Sequence, residues 1–214
     1  MKLAAIATLY GRHDKTLPLL EQVLNSSRVP DELWLMCEGV DDAKAAIWAL
    51  NKLGHRGAAV TVLETNLTPM GTYAIIPYSN KINWALDRTK ADAVVYIDNG
   101  SMPSREKYGT MLKALEDNPS WGAVYCSQER SGYDAKTQWA DSVVENAYAV
   151  LNYTQVMHRV TNDRWTTNMS HADPDLADAL FWRDLHKSIG PFHPVDTNTI
   201  HDWHHINSQK AEGV

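Results

Sequence analysis

Ala93-Val94-Val95-Tyr96-Ile97-Asp98-Asn99-Gly100-Ser101 (residues 93–101) is an apolar, β-branched run that stops on a carboxylate and a turn. A short apolar run bounded by Gly and polar residues predicts a strand buried on both faces. Working back towards the N-terminus, the same pattern recurs at Leu3–Leu9, Leu33–Glu38 and Ala58–Leu63. Between these runs, helical spacing predicts helices over Lys15–Asn25, Asp41–Leu53 and Tyr73–Arg88. Working forward, Pro103-Ser104 opens a helix carrying Tyr108, Met111, Leu112 and Leu115 on one face, with Ser104 as its N-cap, and Trp121–Cys126 reads as a further strand. Strand and helix in alternation predict an α/β fold: a single Rossmann-like domain whose mostly parallel, mixed central sheet carries helices on both faces. Ligands in such sheets bind beyond the carboxyl ends of the strands. That rule points to Leu9–Arg12, Glu38–Asp42 and Asp98–Ser101.

The pattern changes after residue 127. Residues 128–172 are polar and aromatic, with helical periodicity only around Val143–Leu151. Thr154–Val160 reads as a strand, Asp173–Ile189 as a partial helix stopped by Gly190-Pro191, and Ile200–Lys210 as a final helix. The expected division is therefore into a first half, 1–127, and a second half, 128–214, of one domain. There are eight Trp and only two Phe, and five of the Trp lie in the second half. Trp serves either as core filling or as a sugar-stacking platform.

Bulk properties narrow the field. A chain of 214 residues that is 44% hydrophobic supports one ordinary domain. A net charge of -6 argues against a broad basic face, so nucleic acid is not expected as a general partner. Cys37 and Cys126 fall in apolar runs and read as buried free thiols. The start, Lys2 followed by Leu3–Leu9, is too short an apolar run for a secretory leader. No run approaches membrane-spanning length, and a cytoplasmic location is the default expectation.

Asp98 ends its strand beside Asn99-Gly100-Ser101, poised to meet a cation or ligand. The order of Tyr10-Gly11-Arg12, a strand ending on Glu38, Asn80-Lys81, Tyr96-Ile97-Asp98-Asn99-Gly100 and His201-Asp202-Trp203 resembles family-2-like GT-A glycosyltransferases. The likeness runs over roughly residues 1–210, is strongest over 80–127, and implies that 1–127 is the nucleotide-sugar-binding half and 128–214 the acceptor-binding and catalytic half. It implies transfer of a sugar from a nucleotide-sugar donor, UDP-linked, to a hydroxyl acceptor, with inversion at a hexosyl centre. It further implies that Thr8, Tyr10, Arg12, Glu38, Lys81, Asp98 and Asn99 contact the donor, and that Mn²⁺ or Mg²⁺ sits on Asp98 with His204 as a further ligand. Asp202 falls where the family has its catalytic base, while Asp178 and Trp182 would face the acceptor. Arg159 is a further phosphate-contact candidate. The family's Asp-x-Asp motif has Gly100 at its second acid here, and His201 stands where Glu is common. Assembly into a homo-oligomer stays open.

Two rival readings accompany this one. The missing acid at Gly100 fits a nucleotide-sugar-binding protein that is catalytically weak. His201-Asp202-Trp203-His204-His205 places His201 and His205 on one face of the expected last helix, a shortened zinc-hydrolase pattern, with His193 as an upstream ligand.

Overall fold

The computed structural model describes residues 1–65, 75–131, 151–167 and 176–202. Strands β1 (Leu3–Leu9), β2 (Glu32–Glu38), β3 (Ala59–Thr65) and β4 (Ala93–Asp98) form a parallel set in the order β3-β2-β1-β4. Every residue of β1 is buried, because a strand covered on both faces has no solvent side. The sheet continues through β7 (Val156–Arg159), β6 (Ala123–Ser131), β8 (Phe192–Asp202) and β5 (Ser101–Pro103), giving the eight-stranded order β3-β2-β1-β4-β7-β6-β8-β5. β7 pairs antiparallel with both β4 and β6, β6 pairs parallel with β8, and β5 pairs antiparallel with β8. The sheet is mixed and mostly parallel, as the alternation of strands and helices predicts.

Helices α1 (His13–Leu24), α2 (Val40–Leu53) and α4 (Lys107–Asp117) cover one face, and α3 (Ile75–Leu86) and α5 (Leu176–Ile189) cover the other. Alternation along β1 divides its side chains between the two layers: Leu3, Ala5, Ala7 and Leu9 pack under α1, α2 and α4, while Ala4 and Ile6 pack under α3 and α5. Gly39 at φ +85 and Gly54 at φ +73 bracket α2, holding backbone that side-chain-bearing residues rarely adopt. Cys37 and Cys126 are buried and unbridged. Among the described residues no helix is long and apolar enough to cross a membrane.

The structure corrects two expectations. Ser104 does not cap α4: residues 101–103 are drawn into the sheet by β8, the helix starts at Lys107, and the Ser104 hydroxyl instead lies 3.0 Å from that of Thr197. Residues 200–202 are not helical but close β8, an eleven-residue strand that extends up to His201 and Asp202. The boundary at residue 127 falls inside β6, and strands from both sides of it interleave in one sheet. The periodic stretch 143–150 and residues 203–210 lie outside the described residues.

Candidate functional site at the carboxyl edge of the sheet

β1 has β2 on one side and β4 on the other, so the strand order reverses direction between β1 and β4. That switch point is where an α/β sheet opens a crevice for a ligand. The register pairs Thr8 with Asp98 across it. The Asp98 carboxylate accepts from the Gly100 amide at 2.8 Å through Oδ1 and from the Tyr153 hydroxyl at 2.7 Å through Oδ2. The same hydroxyl lies 3.4 Å from Thr8 Oγ1, which also reaches the Ile97 carbonyl at 3.4 Å. Tyr153 belongs to a short 3₁₀ turn, Tyr153–Gln155, capped by the Asn152 side chain on the Thr154 amide at 2.9 Å. Gln155 Oε1 reciprocates on the Asn152 amide at 3.0 Å, which fixes both ends of the turn.

The turn after β1 is held from two directions. Asn99, 6% exposed, donates from Nδ2 to the Tyr10 carbonyl at 3.2 Å. Its amide therefore supports the turn, where the family likeness expects it on the donor. Asp42, at the start of α2, is buried and accepts the Gly11 amide with both oxygens at 3.1 Å, and His13 Nε2 lies 3.0 Å away. Burial pushes the Asp42 carboxyl above its usual range, with the Gly11 amide and His13 pulling the other way. Gly11 sits at φ +61, a conformation that costs glycine least. The Tyr10 ring is thereby left 57% exposed at the edge, with Arg12 at the N-terminus of α1.

Glu38, at the end of β2, forms an ion pair with Lys81 on α3. Lys81 is 6% exposed, and burial pulls its ammonium down to about 8, with the Cys37 thiol pulling the other way. The structure thus brings Thr8, Tyr10, Arg12, Glu38, Lys81, Asp98 and Asn99 to one edge through four different elements.

Other expected residues lie elsewhere. Trp182, expected at the acceptor, is fully buried. Its Nε1 donates to the Leu151 carbonyl at 3.2 Å, and its ring packs against Tyr96, Trp165, Phe181 and Phe192. The position facing the sheet on α5 takes a large apolar ring because that face is core. Asp178 accepts the Tyr153 amide at 3.0 Å, which makes it a support of the turn bearing Tyr153. Arg159 pairs opposite Ala93 at the amino end of β4 and donates to the carbonyls of Trp121 at 2.9 Å and Leu115 at 2.7 Å, at the far end of the sheet from Asp98.

The β8 register seats His201 opposite both Ser101 and Arg130, and Asp202 opposite Ser131. His201 therefore lies on a strand, which removes the one-face helical pairing behind the zinc-hydrolase pattern. His193, at the other end of β8, is stacked on Trp121 at 4.0 Å, roughly 25 Å along the strand from His201. His204 and His205 lie outside the described residues. Among the described residues no group of three or more His, Cys, Asp or Glu side chains is arranged to hold a metal ion.

Tyr153 is a support residue that no sequence motif marked, lying in the aperiodic stretch 128–172, while Asp42 fell only within the Glu38–Asp42 stretch to which the carboxyl-end rule points.

The coordinates align with those of S. aureus TarS. The TarS 1-349 structure in complex with UDP superposes with a TM-score of 0.67 at 11% identity, covering 94% of this chain and 60% of that one. The complex of the same fragment with UDP-GlcNAc gives 0.68 at 12% identity over 97% of this chain and 61% of that one. The chain has a GT-A-like fold. It spans about three-fifths of the TarS fragment and 37% of a longer TarS structure. No known family profile matches the sequence, and no curated protein matches it.

Proposed function

We propose that this chain is a glycosyltransferase that moves a hexosyl group from a UDP-linked donor to a hydroxyl acceptor with inversion. The observation that carries the reading is Asp98 at the β1/β4 switch point, fixed by Tyr153 and opposite Thr8. The fold is shared with TarS, a glycosyltransferase solved with UDP and with UDP-GlcNAc.

In this reading the turn at Tyr10–Arg12 and the Glu38–Lys81 pair receive the nucleoside, and the diphosphate enters the crevice at Asp98. The acceptor oxygen attacks the anomeric carbon while Asp202, at the end of β8, takes the hydroxyl proton. The bond between the anomeric carbon and the diphosphate oxygen breaks, and its electron pair leaves with the nucleotide. Asp98 offers carboxylate oxygens, a donor type that suits Mg²⁺ or Mn²⁺ held mostly by substrate phosphates. A divalent ion on Asp98, with His204 as a further ligand, would supply neutralisation of the leaving diphosphate. The protein is taken to act in the cytoplasm.

A second reading, nucleotide-sugar binding with little turnover, draws on Gly100 at the position of the second acid and on Asn99 turned to the Tyr10 carbonyl. Calorimetric titration of UDP and UDP-GlcNAc with Mn²⁺ separates these outcomes. Binding by the wild type, weakened at least about tenfold in Asp98→Ala, is expected. Absence of any nucleotide affinity sinks the class, and unchanged binding by Asp98→Ala sinks the site. Binding without donor hydrolysis or transfer to any of a broad set of hydroxyl acceptors favours the second reading.

A further inference from the structure

Lys107 lies in the first turn of α4 with 1% of its surface exposed. Among the described residues no carboxylate lies within ion-pairing distance of its Nζ. Burying an ammonium without a counter-ion is costly, and a purely structural position would favour an apolar side chain of the same length. Two neutral oxygens receive it: the Thr154 carbonyl and Thr199 Oγ1, the latter at 2.5 Å. Thr199 Oγ1 lies in turn 3.5 Å from the Thr154 carbonyl and 3.6 Å from Cys126 Sγ, and Ser101 Oγ lies 3.5 Å from Thr154 Oγ1. Desolvation pulls the Lys107 pKa down, with Cys126 and then Asp98 pulling it back up.

These contacts join three elements behind the candidate donor site. Thr154 is the middle residue of the 3₁₀ turn, and its neighbour Tyr153 donates its hydroxyl to Asp98 at 2.7 Å. Thr199 belongs to β8, which ends at Asp202. Turn, strand and helix meet at one ammonium.

We infer that Lys107 is a positioning residue for the nucleotide site, clamping the Thr154 carbonyl to β8 so that Tyr153 holds the Asp98 carboxylate in one orientation. Its functional consequence rests on the donor-site reading above, while its structural consequence does not. Without the clamp, Tyr153 gains freedom and Asp98 loses its fixed partner, although neither is substituted.

The test has a ligand-free arm and a ligand arm. In the free protein, amide hydrogen exchange is measured for Lys107→Met and, as a milder variant that keeps the lysine, Thr199→Val. The amides of Thr154 and Gln155, bonded to Asn152 Oδ1 and the Asn152 carbonyl, are expected to exchange about tenfold faster while amides of α2 keep their wild-type rates. Wild-type exchange at Thr154 and Gln155 in both variants, or acceleration spread evenly over the sheet, overturns the inference. In the second arm UDP affinity is measured for Lys107→Met, Tyr153→Phe and the double variant. Each single change is expected to weaken binding about tenfold, with the double no weaker than the worse single. Multiplying effects overturn the route through Tyr153. A wild type that binds no UDP overturns the donor-site reading, and the exchange arm then judges Lys107 alone.

Discussion

Lowering the pH from about 7.5 to about 5 is expected to destabilise the fold through one residue, His158. It is 1% exposed on β7, among the rings of Tyr96, Phe181 and Trp182. Its Nδ1 is 2.7 Å from the Arg159 carbonyl, which can only accept, so Nδ1 carries the proton. Nε2 then accepts from the Tyr96 hydroxyl at 2.9 Å. Both nitrogens are satisfied in the neutral ring. Burial holds the pKa down to about 4, with the Arg159 carbonyl and the Asp163 carboxylate pulling weakly upward. The unfolded ring titrates near 6.5, so between these values the unfolded chain binds the extra proton and stability rises with pH. The contribution is complete above about pH 6.5 and is lost progressively as pH falls towards 4. A gap of about 2.5 units corresponds to roughly 3 kcal/mol, of which about 2 kcal/mol is gone by pH 5. Urea unfolding of the wild type and of His158→Gln at the two pH values isolates the term, provided the m-value stays constant. The wild type is expected to lose about 2 kcal/mol more than the variant on acidification. Equal losses in the two proteins, or an NMR titration of His158 centred near 6.5, would refute the reasoning.

Lys81→Met or Glu38→Gln alone leaves a nearly buried charge unpaired, and each is expected to cost about 3 kcal/mol in chemical denaturation, whereas the double variant costs far less than the sum. Additive losses would show that the two side chains do not depend on each other. Gly122→Ala places a methyl 2.4 Å from Ile189 Cβ and 2.6 Å from the Ile189 carbonyl oxygen, a clash with backbone that cannot swing away. A loss of about 1–3 kcal/mol and a drop in Tm of roughly 2–12 °C are expected, and an unchanged melting curve would show that α5 shifts freely against β6.

The parallel part of the fold was legible because its strands are buried on both faces and so announce themselves as unbroken apolar runs. Leu3–Leu9 and Ala93–Asp98 are found where the pattern puts them. β8 was not legible. Phe192–Asp202 alternates polar and apolar residues irregularly and contains Pro194, whose missing N–H is tolerated beside a register shift between Tyr125 and Ser127. Two flanking strands, not propensity, make it a strand. Within the site, Asp98 was legible because it ends an apolar run. Lys107 and Tyr153 were not, since their partners are set by contacts distant in sequence. Trp182 and Arg159 show the converse: the family likeness put Trp182 at the acceptor and charge made Arg159 a phosphate candidate, but the facing of α5 and the register of β7 turned one into core and placed the other at the opposite edge.

The placement of β8 between β6 and β5 also bears on how the chain acquires its shape. β5 lies next to Asp98 in sequence, yet its ladder partner is β8. During synthesis the β1–β4 set can pair as it emerges, but β5 and the outer side of β6 must wait with open backbone until residues 192–202 arrive. Closing strand pairs of such long sequence separation is slow. Until it happens, the segment after Asp98 is an unpaired edge exposed to wrong partners, and a chain cut short after β6 retains that liability permanently.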